Sequence, residues 1–75
     1  MTDALRMWTI YDHPSDYPHG FIARQFLVHA GGAEPTQSTI EGSLEMIRQT
    51  LMVDMGLVCF RRNEEDDPVI VETWL

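Results

Sequence analysis

The chain has 75 residues, of which 44% are hydrophobic, and a formal net charge of −7. This length suits one small domain, and the apolar content excludes a disordered chain. Its five basic residues are all arginines, set against twelve acids. Because phosphate backbones and anionic lipids attract clustered positive charge, we expect neither a direct nucleic-acid partner nor a membrane partner.

The expected cellular compartment is inferred from the first residues of the chain and from its single cysteine. Residues 1–4 lack the layout of a signal peptide, and no apolar run approaches the roughly 20 residues that span a bilayer. Cys59 is the only cysteine, so no disulfide forms within the chain. Since it lies in the apolar run 57–60, we expect a buried, reduced thiol and a cytoplasmic protein.

The first half of the chain predicts two strands. Residues 5–11 and 21–29 are rich in aromatic and β-branched side chains, which favour strands. Arg24 interrupts the apolar face of the second strand, and Glu72 is its expected acceptor. A long turn is expected around the glycines at 31–32 and the proline at 35.

A helix follows, because apolar side chains recur with helical spacing. The stripe consists of Leu44, Ile47 and Leu51. We expect the helix to begin with Gly42 or Ser43 at the cap, leaving residues 36–41 extended. A start at Ser38 fits a capping box but places Gly42 inside the helix, at a cost of about 1 kcal/mol. Gly56 suits the left-handed position just past the helix end.

Two further strands, 57–62 and 69–75, flank the acidic turn 63–68. The predicted fold is α+β in one domain, 1–75, with the order β-β-α-β-β: a four-stranded mixed sheet with one helix packed on one face. The helical crossover makes the middle strands parallel, and the first and last strands then lie parallel at the centre. The 12–20 loop, Gly56 and the C-terminus are expected at one end of the sheet and the acidic turn at the other.

One helix covers one face of a sheet, yet the first and last strands carry apolar side chains on both faces. An uncovered apolar patch of several hundred Å² is typical of a protein interface. We therefore expect a homodimer or a protein partner at this face. The candidate interface residues are Met7, Tyr11, Ile70 and Trp74, with Trp8 and Ile10 as the alternative if the pleat is reversed.

The loop 12–20, Asp-His-Pro-Ser-Asp-Tyr-Pro-His-Gly, is the candidate polar site. Asp12, His13, Asp16 and His19 have side chains that bind divalent metals, and Ser15 lies near both histidines as a candidate nucleophile. The alternative is a rigid turn in which the acids accept local hydrogen bonds and the prolines stiffen the chain.

The spacing in this loop is irregular, and no nucleophile elbow or oxyanion-hole glycine pattern accompanies it. The sequence therefore assigns no catalytic residue, no metal and no cofactor. It favours a non-enzymatic interaction or self-association module. A small metal-dependent or hydrolytic enzyme that uses the loop is the alternative.

Motifs at both ends of the chain point to a group of proteins. The first is YDHPSDYP at 11–18, and the second is DDPVIVETWL at 66–75. They resemble a family of small uncharacterised bacterial and phage-encoded proteins, and the similarity extends over nearly the whole chain, more loosely at 30–42 and 52–60. The resemblance implies a stand-alone α+β domain of prophage origin and supplies no activity or site residue.

Overall fold

The computed structural model describes residues 5–61 and 68–75, which form a five-stranded sheet with a helix on one face. The strands are β1 Leu5–Asp12, β2 Phe21–His29, β3 Gly32–Gly42, β4 Cys59–Arg61 and β5 Ile70–Trp74. The helix α1, Leu44–Gln49, continues into a π-helical segment, Thr50–Asp54. The α+β class and the single helix are confirmed, but the sheet has five strands rather than four.

The additional strand is β3, which was expected to be a turn and a short extended segment. Its composition is glycine, proline, threonine and serine for the most part, so it lacks the apolar alternation that marks a strand. It lies at an edge of the sheet, next to β2. An edge strand tolerates Pro35, and the register of the pair is irregular between Arg24 and Phe26, just where Pro35 pairs.

The strand order is β3-β2-β1-β5-β4, and every neighbouring pair is antiparallel. The first and last strands do pair at the centre, but the expected parallel orientation, and with it the mixed sheet, is wrong. The extra strand is the reason. Because β3 returns along the sheet before α1 begins, the helix connects two edge strands that are not neighbours.

The expected placement of the loops is also wrong. The 12–20 loop lies at the end of the sheet where β5 begins, since the Asp12 N–H donates to the Val69 carbonyl at 2.7 Å. Gly56 and the C-terminal Leu75 lie at the opposite end, with the turn between β2 and β3. The acidic run lies outside the described residues, but the strands that flank it reach the same end of the sheet as the 12–20 loop.

A β-bulge in β5 decides which side chains face the helix. The register pairs Ile10 with Glu72, but the next residue, Tyr11, pairs with Ile70. Val71 therefore has no partner in β1 and is the extra residue of the bulge. Directly opposed residues share a face of the sheet, and a bulge shifts the alternation by one. Ile70 and Trp74 therefore lie on opposite faces, although simple alternation predicts the same face.

The core lies between the sheet and the helix. Ile10, Ile47 and Leu51 are fully buried there, and Trp8 and Trp74 are each 5% exposed. The predicted helical stripe is confirmed, because Ile47 and Leu51 supply the two buried helical side chains. Burial of apolar surface contributes about 25 cal/mol per Å² to the free energy of folding, and the burial of these side chains is the main favourable term.

Both predicted helix ends are confirmed. The Ser43 hydroxyl accepts a hydrogen bond from the Met46 N–H at 3.1 Å, as an N-cap does, and the start at Ser38 is excluded because that residue lies in β3. After the π-helical segment the chain turns at Gly56, whose φ is +66°. No helical segment among the described residues has both the length and the apolar character needed to cross a bilayer.

Candidate functional site

The sheet face opposite the helix, here called the open face, carries the strongest candidate for a functional surface. Its side chains come from all five strands, because alternate residues of each strand point away from the helix. No helix packs on it in the part of the chain that the structure describes. The open face divides into two regions of different chemistry.

The first region is apolar and is called here the apolar patch. It consists of Leu5, Met7, Phe26, Val28, Val58 and Phe60. Leu5 is 53% exposed, Val58 61% and Phe60 50%, and the other three side chains are half-buried. Val58 belongs to this face because it exchanges two backbone hydrogen bonds with Leu75, at 2.8 and 3.0 Å, two residues before Phe60.

The second region lies beside the 12–20 loop and is covered by the protein itself. Arg24 extends from β2 and donates a hydrogen bond to the Asp16 carboxylate in the loop. The Arg24 guanidinium carbon also lies 5.6 Å from the centroid of the Tyr11 ring, within cation–π range. Ile22 and Thr9, neighbours of these residues in the register, are 4% and 5% exposed.

The predicted interface residues divide between the two faces. Met7 lies in the apolar patch, and Tyr11 and Ile70 lie in the covered region of the open face. Trp74 is wrongly assigned to the interface: it is 5% exposed in the core, because the bulge places it on the helix side. The alternative residues, Trp8 and Ile10, are core residues as well.

The four residues of the candidate polar site make three separate contacts. Asp12 pairs with His13, whose ring lies edge-on to Phe21 with 5.3 Å between ring centroids. His19 lies edge-on to Tyr17 at 6.4 Å. Asp16 pairs with Arg24 outside the loop.

Backbone hydrogen bonds close the same loop. The His13 N–H donates to the Gly20 carbonyl and the Tyr17 N–H to the Pro14 carbonyl, both at 2.9 Å. Within residues 5–61 and 68–75 no group of three metal-binding side chains converges, and no hydrogen bond joins Ser15 to a histidine. The two backbone hydrogen bonds are of the kind expected for a rigid turn.

The structure perturbs the ionisation of the Asp16 carboxyl. The hydrogen bond from Arg24 is the main cause that lowers the pKa of the Asp16 carboxyl. Desolvation acts in the opposite direction, and the positive charge of Arg24 lowers the pKa further. The pair thereby favours the charged carboxylate, which holds the loop to the sheet.

The sequence did not reveal a polar cluster around one buried carboxylate on the helix side of the sheet. Glu72 is 6% exposed, and its carboxylate accepts from Arg48 Nε and from Cys59 Sγ, each at 2.5 Å. Two expectations are therefore wrong: Glu72 is not the acceptor of Arg24, and Cys59 is an exposed residue rather than a buried thiol. The cluster joins α1 to two strands through residues far apart in sequence, so no local pattern signals it.

No protein-family model matches the chain, and comparisons with curated proteins and with solved structures find no match either. The resemblance suggested by the two end motifs stays a prediction.

Proposed function

We propose that the protein is a non-enzymatic interaction module that associates with a second copy of itself through the apolar patch. The observation that carries the proposal is the exposure of Leu5, Val58 and Phe60, each at least half exposed, on one uncovered sheet face. Exposed large apolar side chains on one sheet face are typical of protein interfaces.

The small core supports self-association. Among the described residues, seven hydrophobic side chains are buried, and a domain below about 80 residues rarely gains more than about 3–5 kcal/mol from a single core. Self-association is one of the ways in which such domains become stable. A second copy also supplies a patch of identical chemistry, as a two-fold interface requires.

The charge distribution supports an apolar contact. The six patch residues are all uncharged, whereas the chain as a whole carries a net charge of −7. Two copies therefore repel one another at long range and attract at the patch. Because salt screens the repulsion, association should strengthen as ionic strength rises. A basic protein partner bound through the acidic surface would instead dissociate as salt is added.

The experiment compares two valines of equal exposure on different surfaces. Val58 in the patch is 61% exposed, and Val53 on the outer side of the π-helical segment is 63% exposed. Sedimentation equilibrium from micromolar to millimolar protein should show a dimer for the wild type and for Val53→Glu. Val58→Glu should remain a monomer.

A wild-type protein that is monomeric at every concentration and salt level would contradict self-association. Equal loss of the dimer in both valine variants would contradict the patch as its site, because the two substitutions add the same charge at the same exposure. Circular dichroism of both variants checks that each retains the fold.

A further inference from the structure

A cavity of about 370 Å³ opens on the helix side of the sheet, beyond the end of the helical segment. Its floor is formed by β1 and β2, where Trp8 and Gln25 pair in the register. Its wall is formed by Met55 and Leu57, and the Leu57 N–H is held by the Leu51 carbonyl at 2.9 Å. The volume lies at the lower end of the range of small-molecule sites, which begins at about 300 Å³.

Arg6 supplies the charge of this cavity. Arg24 and Arg48 are each paired with a carboxylate, whereas no described carboxylate lies within ion-pair distance of Arg6. In a chain with twelve acids, an arginine at a cavity without an acidic partner among the described residues leaves a positive charge available to a ligand. The guanidinium fork matches a carboxylate with two parallel hydrogen bonds.

Gln25 supplies a second donor. The Ser38 N–H donates a hydrogen bond to the Thr36 hydroxyl at 3.1 Å. The Thr36 hydroxyl can therefore donate its own proton to Gln25 Oε1, which lies 3.0 Å away. This chain of hydrogen bonds fixes the Gln25 amide with its oxygen occupied by Thr36. Gln25 lines the cavity, and its NH₂ group remains as a donor.

We propose that this cavity binds a small amphipathic carboxylate, with the carboxylate on Arg6 and Gln25 and the apolar body against Trp8, Met55 and Leu57. The ligand class follows from a lining that combines two side chains with donors, Arg6 and Gln25, with the apolar side chains of Trp8, Met55 and Leu57. This site lies on the sheet face opposite the apolar patch, so it is independent of the self-association proposed above.

The test is a titration of ¹⁵N-labelled protein with phenylacetate, with phenylacetamide as the uncharged ligand of nearly the same shape. Phenylacetate should shift the Trp8 indole and Gln25 side-chain signals in a saturable way. Phenylacetamide should bind at least about tenfold more weakly, because a hydrogen bond to a charged group is worth more than a neutral one. Arg6→Gln should remove this difference between the two ligands.

The controls separate the cavity from the fold and from the open face. The amide spectrum of Arg6→Gln should keep the wild-type pattern away from the cavity, since Arg6 has no ion pair among the described residues. Val58→Glu should bind phenylacetate as the wild type does. Equal affinity for the two ligands, an unchanged affinity in Arg6→Gln, or no shift at the cavity would each overturn the proposal.

Discussion

Arg24 reaches from the middle of β2 to Asp16 in the 12–20 loop, and this pair divides the open face of the sheet into two regions. On the loop side, Arg24 lies over Tyr11 and the face is covered by the protein's own residues. On the other side the face is apolar, and none of the described elements packs over it. A loop rich in polar residues thus lies against one region of the open face through the Arg24–Asp16 pair, and the adjoining apolar patch is the candidate contact surface.

Removing Arg24 should return the pKa of Asp16 toward its ordinary value. In the folded protein this pKa is lowered, chiefly by the hydrogen bond from Arg24. A lowered folded-state pKa contributes stability that is present above the ordinary value of about 4 and is lost as the pH falls through the folded-state pKa. Carboxyl ¹³C titration of wild type and Arg24→Gln measures the shift, and the same Asp16 midpoint in both proteins would count against the pair.

Added zinc or manganese should leave the melting temperature unchanged. Asp12 pairs with His13, Asp16 with Arg24, and the described side chains offer no three-residue metal site. A metal that binds the native state would raise the melting temperature by mass action. A thermal melt with each metal tests this, and a rise that disappears when His13→Ala and His19→Ala are combined would re-establish the loop as a metal site.

Arg48→Leu should lower the free energy of unfolding by about 1–3 kcal/mol, because it leaves the carboxylate of Glu72 without its arginine partner. Glu72 is 6% exposed, so water does not readily replace the lost hydrogen bond. Urea unfolding followed by tryptophan fluorescence measures the change. Combining Arg48→Leu with Glu72→Met should recover part of the loss, since the second substitution removes the buried carboxylate that the first leaves without its arginine. Equal stability of Arg48→Leu and wild type would mean that the pair does not stabilise the fold.

Truncation of the Ile47 side chain should show that the wild-type protein has a small free energy of unfolding. The side chain is fully buried against the sheet, and Ile→Ala in a core costs about 2–5 kcal/mol, compared with about 0.5–1.5 kcal/mol for Ile→Val. We expect Ile47→Val to fold with a lower melting temperature and Ile47→Ala to be largely unfolded at 25 °C. Thermal denaturation followed by circular dichroism distinguishes the two, and a cooperative wild-type melt in Ile47→Ala would contradict the assigned core.

The sequence is informative where structure depends on local chemistry. The apolar spacing that ends at Leu51, the cap at Ser43 and the left-handed residue at Gly56 each depend on a few neighbouring residues, and all three are found as predicted. The strand 21–29 is also recovered with its bounds, because β-branched and aromatic residues fill it.

The sequence is uninformative where structure depends on tertiary pairing. Edge strand β3 has little apolar content, so only its hydrogen bonds to β2 identify it. No particular residue type in the sequence marks the bulge that places Trp74 in the core. The partners of Asp16 and Glu72 lie 8 and 24 residues away along the chain, on other elements, and only the fold brings them together.

The most direct test of self-association through the apolar patch is an isotope-filtered NMR measurement on a mixture of ¹³C-labelled and unlabelled protein. It records contacts between two copies only. Self-association through the apolar patch should give intermolecular NOEs from the Met7 methyl group and the Phe60 ring and none from Val53. Intermolecular NOEs to Val53, or none at Met7 and Phe60 at millimolar concentration, would contradict it.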